Sequence, residues 1–196
     1  VKWAYRKTDG MVALSNGVRD DLLTRYRLPP AQVVTIYNPV DLEDVIRQSE
    51  QEPDGCPWMQ RGSRDRVEIL AVGRLTFQKG FDILIEALAR VQSVPWRLTI
   101  LGTGPEREKL QELARRLQVG DRVLMPGFQS NPYAWMARAD LFVLSSRWEG
   151  FGHVIVEAMA CGAPVLATRC PSGPDEIIAD RVDGRLCEHG SVEDLA

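Results

Sequence analysis

From Val67 onward, short β-branched runs alternate with stretches of helical periodicity, and this alternation restricts the fold more than anything else in the chain. The runs are Val67–Val72, Arg97–Leu101, Arg122–Met125, Leu141–Leu144, Pro164–Thr168 and Arg185–Cys187. Between them, Leu110, Leu113, Ala114 and Leu117 recur at helical spacing within residues 106–118. Phe81, Leu84, Ile85 and Leu88 do the same within residues 81–91, where Ile83, Ala87 and Val91 widen the apolar stripe. Strands alternating with helices predict an α/β domain: a Rossmann-like, mostly parallel sheet with helices on both faces. Right-handed crossovers then bring the functional loops together at the carboxyl ends of the strands.

The segment before Val67 reads differently. Met11–Leu14 is a short apolar run, followed by Ser15 or Asn16 as the cap of a helix running to about Tyr26. Leu28-Pro29-Pro30 ends that helix, Val33–Ile36 is a second β-branched run, and Asn38-Pro39-Val40-Asp41 is a turn. Residues 47–66 are polar and lack an apolar period, so they read as a linker or exposed loop. The expected organisation is therefore a tail and connection over 1–46, the linker over 47–66, and the Rossmann-like domain over 67–196. Ser191-Val192-Glu193-Asp194 reads as the start of a capped helix shortly before the chain stops. With no initiating Met either, the sequence reads as an excised piece, truncated at its carboxyl end.

A net charge of −3 gives no reason to expect nucleic acid as a partner. Lys2, Arg6 and Lys7 lie among Trp3 and Tyr5, an edge that reads first as a solvated terminus and second as a peripheral contact with a membrane. The four cysteines are far apart and form no CxxC pair, which argues against a zinc site or a disulfide framework and fits a reducing cytoplasm. No apolar run approaches the roughly 18 residues needed to cross a bilayer.

Four strand-to-helix segments carry the candidate chemistry. In Val72-Gly73-Arg74-Leu75-Thr76-Phe77-Gln78-Lys79-Gly80, Arg74 can grip phosphate oxygens through two bonds and Lys79 adds a mobile charge, while Gly73 lets backbone approach closely. Leu101-Gly102-Thr103-Gly104-Pro105 reads first as a structural turn, since it departs from GxGxxG. In Glu149-Gly150-Phe151-Gly152-His153-Val154-Ile155-Val156-Glu157, the glycines and a helix N-terminus form a place for a diphosphate. Glu157, one turn into that helix, suits a ribose, and Glu149 suits a sugar hydroxyl. His153 reads equally well as a helix-start residue and stays outside the catalytic set. In Cys170-Pro171-Ser172-Gly173-Pro174-Asp175-Glu176, the acids read first as caps of their own helix.

Taken in order, these segments resemble the C-terminal domain of family-four retaining glycosyltransferases of the GT-B fold. Gly73-Arg74-(x4)-Lys79-Gly80 resembles the family's phosphate-binding pair, and Glu149-(x7)-Glu157 its Glu-x7-Glu motif. Leu101–Pro105, Pro126-Gly127-Phe128 and Ala139–Ser146 resemble further family blocks. Val12–Ser15 and Ile36–Asp41 resemble the last strand, helix and linker before that domain. The resemblance implies transfer of a sugar, with retention, from a UDP- or GDP-linked donor to a glycan or lipid-linked acceptor. It implies no cofactor and no metal, because basic side chains and a helix N-terminus meet the charge of the departing diphosphate. Carried over, Arg74, Lys79 and Glu149 form the catalytic set. Gly73, Gly150, Phe151, Gly152 and Glu157 hold the donor, and backbone near Gly127-Phe128-Gln129 frames its base. The family's amino-terminal acceptor domain, needed in cis, precedes this domain, which makes the isolated piece an inactive half. A nucleotide-sugar epimerase of similar fold and a non-catalytic nucleotide-binding module are the competing readings.

Overall fold

The computed structural model describes residues 2–5, 7–56 and 65–196. In chain order the elements are α1 (Lys2–Tyr5), β1 (Met11–Ala13), α2 (Asn16–Thr24), β2 (Val33–Thr35), α3 (Leu42–Ser49), β3 (Val67–Val72), α4 (Phe81–Arg90), β4 (Trp96–Leu101), α5 (Arg107–Arg116), β5 (Val123–Gly127), α6 (Tyr133–Met136), β6 (Leu141–Leu144), α7 (His153–Ala160), β7 (Val165–Thr168), α8 (Pro174–Ile177), β8 (Arg185–Cys187) and α9 (Val192–Leu195). They build two sheets. β1 and β2 pair in parallel, and the larger sheet has the order β5-β4-β3-β6-β7-β8 with every pairing parallel. This is the α/β Rossmann-like fold the periodicity predicts.

Burial explains why the strands are nearly continuous apolar runs. Ile69, Leu70 and Ala71 at the centre of β3 are all buried, as residues covered on both faces must be. One core, from Leu84, Ile85, Leu88, Leu98, Ile100, Leu110 and Leu113, packs α4 and α5 on one face of the sheet. The other face holds Phe142, Leu144, Trp135, Met136 and Ile155 from β6, α6 and α7. Glu68, only 2% exposed, is gripped by Arg97 through Nε at 2.9 Å and Nη2 at 2.6 Å, so its charge is neutralised where β3 and β4 begin. That pair lies at the amino ends of the strands, the edge opposite the functional loops.

Because the strand order reverses between β3 and β6, their carboxyl ends open a crevice, the usual ligand position in such sheets. The loops that flank it are bound together. Gly80 has φ +61° and starts α4, and a Cβ there would lie 2.1 Å from the Ser145 carbonyl oxygen. Only glycine permits that approach. Ser145 Oγ donates to the Lys79 carbonyl at 3.0 Å, and the Arg147 amide donates to the Gln78 carbonyl at 2.8 Å.

Several boundaries differ from the sequence reading. The second helix stops at Thr24 rather than Tyr26, and α5 covers 107–116 rather than 106–118. Gln118, at φ +60°, has already left the helix. The stretch 47–66, expected as a linker or exposed loop, begins inside α3, which Asp41 caps by accepting from the Asp44 amide at 3.0 Å. α3 lies against α6 and α7, and Asn131 Nδ2 and Arg138 Nη1 donate to the Gln48 and Ser49 carbonyls. Pro53 and Cys56 are buried, Cys56 within the core under α6 and α7. Residues 57–64 of that stretch lie outside the described residues. In the basic-aromatic edge Arg6 also lies outside them, whereas Trp3 is exposed with Lys7 Nζ 4.1 Å from its ring centroid. No helix among the described residues is long and apolar enough to cross a membrane.

Candidate functional site

Three of the predicted residues meet in the crevice between β3 and β6. Lys79 Nζ donates to Glu149 Oε1 at 2.7 Å, with the two side chains 16% and 9% exposed. Ser146 Oγ donates to the same oxygen at 2.6 Å. Among the described residues nothing bonds Glu149 Oε2, so one carboxylate oxygen is held while the other is left to accept a hydroxyl. The Lys79 stem lies over Gly73, where a Cβ would meet Lys79 Cε at 3.2 Å. Gly73 therefore serves side-chain packing as well as backbone approach.

Arg74 points elsewhere. Its side chain is exposed and forms no ion pair among the described residues, lining a cleft of about 260 Å³ with Gly73, Gly102, Thr103, Phe128 and Gln129. Phe128 is 76% exposed at the rim of that cleft. The glycine turn after β4 belongs underneath it. Gly102 has φ +136°, and a Cβ would lie 2.0 Å from the Gly73 carbonyl oxygen. The Gly73 and Leu75 amides donate to the Leu101 and Thr103 carbonyls, both at 2.9 Å. The turn seats the Arg74 loop, and its Gly102 and Thr103 also line the cleft beside Arg74.

α7 opens on Gly152, which has φ +90° and supplies no side-chain cap. Its first amides are thus free for an anion, the arrangement expected of a diphosphate site. A Cβ on Gly150 would meet nothing within 4 Å, so that position is open on the ligand side. Phe151 is turned to other work: its ring contacts Tyr37, with centroids 5.2 Å apart. Glu157 is half-buried and accepts from Tyr133 OH at 3.0 Å. Burial first, then the Glu157 charge and hydrogen bond, push the Tyr133 hydroxyl up to about 12, so it remains a donor at neutral pH. His153 Nε2 lies 3.8 Å from Glu157 Oε1, and its Nδ1 is buried without a partner among the described residues. Burial, followed by the Glu149 charge, raises the Cys170 thiol to about 11, so that thiol stays protonated at neutral pH.

Asp175 and Glu176 stand in the first turn of α8, where the sequence reading put them, and Glu176 also reaches a second helix. α8 starts on Gly173 without a side-chain cap. The Glu176 carboxylate caps a different helix, accepting from the α2 amides of Asn16 at 2.7 Å and Gly17 at 2.9 Å. Tyr133, Ser146, Tyr37 and this role of Glu176 were missed. The contacts of Tyr133, Tyr37 and Glu176 join residues 24 to 160 positions apart, which no local pattern marks, whereas Ser146 bonds Glu149 from only three positions away. Only the resemblance, which orders the loops around one crevice, offered a signal.

A family model described as Glycosyl transferases group 1 matches residues 60–196, and one described as Glycosyltransferase Family 4 matches residues 1–44. The chain belongs to the glycosyl transferases group 1 family. Among curated relatives it is 33% identical, over 94% of its length and 48% of the other, to the N-acetylgalactosamine-N,N'-diacetylbacillosaminyl-diphospho-undecaprenol 4-alpha-N-acetylgalactosaminyltransferase of Campylobacter jejuni. It is 31% identical to the lipopolysaccharide 1,6-galactosyltransferase of Salmonella typhimurium, covering 95% of this chain and 50% of that one. Among solved structures it is similar to the lipopolysaccharide outer core galactosyltransferase WaaB in its apo form, with TM-score 0.75 and 30% identity over 95% of this chain and 50% of that one. It is also similar to Anabaena HepE in complex with UDP and glucose, with TM-score 0.83 and 28% identity over 100% and 54% of the two chains. The chain spans about half the length of these curated relatives.

Proposed function

We propose that the complete protein transfers a sugar, with retention, from a nucleoside diphosphate donor to a glycan or lipid-linked acceptor, and that this chain supplies the donor site. The observation that carries the reading is the Lys79–Glu149 pair, set beside the uncapped start of α7 at the switch point of the sheet. During transfer the bond from the anomeric carbon to the diphosphate oxygen breaks and its electron pair leaves with the diphosphate. The acceptor oxygen bonds the anomeric carbon and passes its proton to the departing diphosphate oxygen on the same face. The dominant demand is for positive charge at the leaving group. Lys79, Arg74 and the amides at Gly150, Phe151, Gly152 and His153 meet that demand. Glu149 orients the donor sugar through its unused oxygen, Glu157 takes the ribose hydroxyls, and the Phe128 loop frames the base. No bound metal and no cofactor enters this scheme.

The names of the relatives support a glycan or lipid-linked acceptor, and the HepE complex supports UDP over GDP as the donor nucleotide. Membership of a transferase family favours transfer over epimerisation or a purely binding role. A cytoplasmic enzyme making peripheral membrane contact, with an acceptor-binding half in cis, completes the reading. Calorimetric titration of the chain with UDP, GDP and ADP tests it, alongside an Arg74→Ala, Lys79→Ala double variant. UDP binding that the double variant weakens is the expected result. A folded chain that binds none of the three would sink the donor-site assignment.

A further inference from the structure

Glu176 holds a helix that belongs to the other sheet. Its two oxygens take the first two amides of α2, Oε2 from Asn16 at 2.7 Å and Oε1 from Gly17 at 2.9 Å, while Tyr37 OH donates to Oε2 at 2.8 Å. Around it, Asn16 Nδ2 donates to Tyr37 OH at 2.8 Å and Thr35 Oγ1 donates to Asn16 Oδ1 at 3.0 Å. Ser15 already caps α2 locally by accepting from the Val18 amide at 3.1 Å, so the helix has its own cap and a remote one. A carboxylate at a helix N-terminus is favourable, and two charge-assisted bonds fix its direction as well. The backbones also meet closely here. A Cβ on Gly17 would lie 2.7 Å from Ser172 Oγ and 2.9 Å from its Cα, and Ser172 itself has φ +68°.

The same 171–176 loop touches the anion-binding loop on its other side. A Cβ on Gly173 would lie 1.8 Å from the Phe151 carbonyl oxygen, and the Glu149 amide donates to the Pro171 carbonyl at 3.2 Å. Phe151 in turn contacts Tyr37, the residue that also bonds Glu176. The loop is therefore clamped to α2 by one group of contacts and to residues 149–151 by another, with little slack between them. An anion that orders residues 149–153 works on the segment that grips α2.

We infer that Glu176 is a positioning residue: its clamp on the α2 N-terminus couples occupancy of the diphosphate site to the placement of the β1–α2–β2 unit. The inference rests on the donor-site reading above and deepens it, by assigning how that site is linked to the unit beside it. Linkage requires the effect to be mutual, so nucleotide tightens the clamp and the clamp tightens nucleotide.

The test uses the chain as it stands, with UDP as the probe, calorimetry for affinity and amide hydrogen exchange for the clamp. In the wild type, saturating UDP is expected to slow exchange at Asn16 and Gly17 by about threefold or more. Glu176→Ala, shown to be folded by its thermal transition, is expected to bind UDP roughly fivefold more weakly and to show no response at those two amides. Tyr37→Phe, which keeps both amide bonds, is expected to retain the response and serves as the second variant. UDP binding that protects residues 149–153 but leaves Asn16 and Gly17 unchanged would overturn the coupling and leave the donor site standing. A folded wild type that binds none of UDP, GDP and ADP removes the donor-site reading, and this inference falls with it.

Discussion

Lys79 and Arg74 leave the same loop five residues apart, yet they stand in opposite surroundings. Lys79 is mostly buried against Glu149, which Ser146 holds from the other side. Arg74 is exposed at a cleft rimmed by Phe128 and forms no ion pair among the described residues. A paired, partly desolvated cation has its direction set before any ligand arrives, whereas an exposed one must be ordered by the ligand at an entropic cost. The first region is thus preorganised and the second adaptive. The two cations carry one motif and do different work.

The largest expected effect comes from breaking the preorganised side. Lys79→Ala strips Glu149 of its cation and should cost about 2–3 kcal/mol of nucleotide affinity, or roughly 30- to 160-fold in Kd by calorimetry. Its melting temperature should fall as well, because a partly buried carboxylate is left without its partner. A loss no larger than that of Arg74→Ala would erase the distinction. Gly102→Ala attacks the foundation both regions share. A side chain 2.0 Å from the Gly73 carbonyl must displace the Arg74 loop, and about 2 kcal/mol of stability should be lost in denaturant unfolding.

Arg74→Ala should change stability by less than about 0.5 kcal/mol while costing about 1 kcal/mol in affinity. Salt sharpens the contrast: the Arg74 contribution should fade between low and high ionic strength, and that of Lys79 should largely persist. The smallest effect belongs to Tyr133. A hydroxyl whose titration is raised stabilises the fold fully below its unfolded value, near 10, and this stabilisation is lost as pH rises toward about 12. Tyr133→Phe should remove one late phenolate from the ultraviolet titration and flatten that alkaline loss. A phenolate lost near 10 instead of near 12 would mean that burial and Glu157 do not raise the hydroxyl.

The strands were the most legible part of the molecule. Val67–Val72 and Leu141–Leu144 stand where the apolar runs put them, because a strand covered on both faces writes its burial directly into consecutive residues. The preceding segment was harder to read. Polar residues hide the short α3, whose buried contact comes through Val45 and whose placement depends on α6 and α7. For the site, the glycine-rich loops and their charges could be located from spacing and resemblance. Which of them meet could not be seen. That Lys79 and Glu149 touch while Arg74 faces the Phe128 cleft depends on crossovers that bring β3 and β6 side by side. The reach of Glu176 to α2 was hidden for the same reason, since nothing at the start of its own helix points to a second one.

The approach of Gly80 to the Ser145 carbonyl has a mechanical consequence. Backbone in contact with backbone leaves no compressible side chain between the β3 loop and the β6 loop, which stiffens the two walls of the crevice against each other. The seam where the 171–176 loop meets α2 is built differently. There a carboxylate and the hydrogen bonds it receives stand beside the close packing of Gly17 on Ser172 and of Tyr37 on Phe151, so direction and distance are fixed by different kinds of contact.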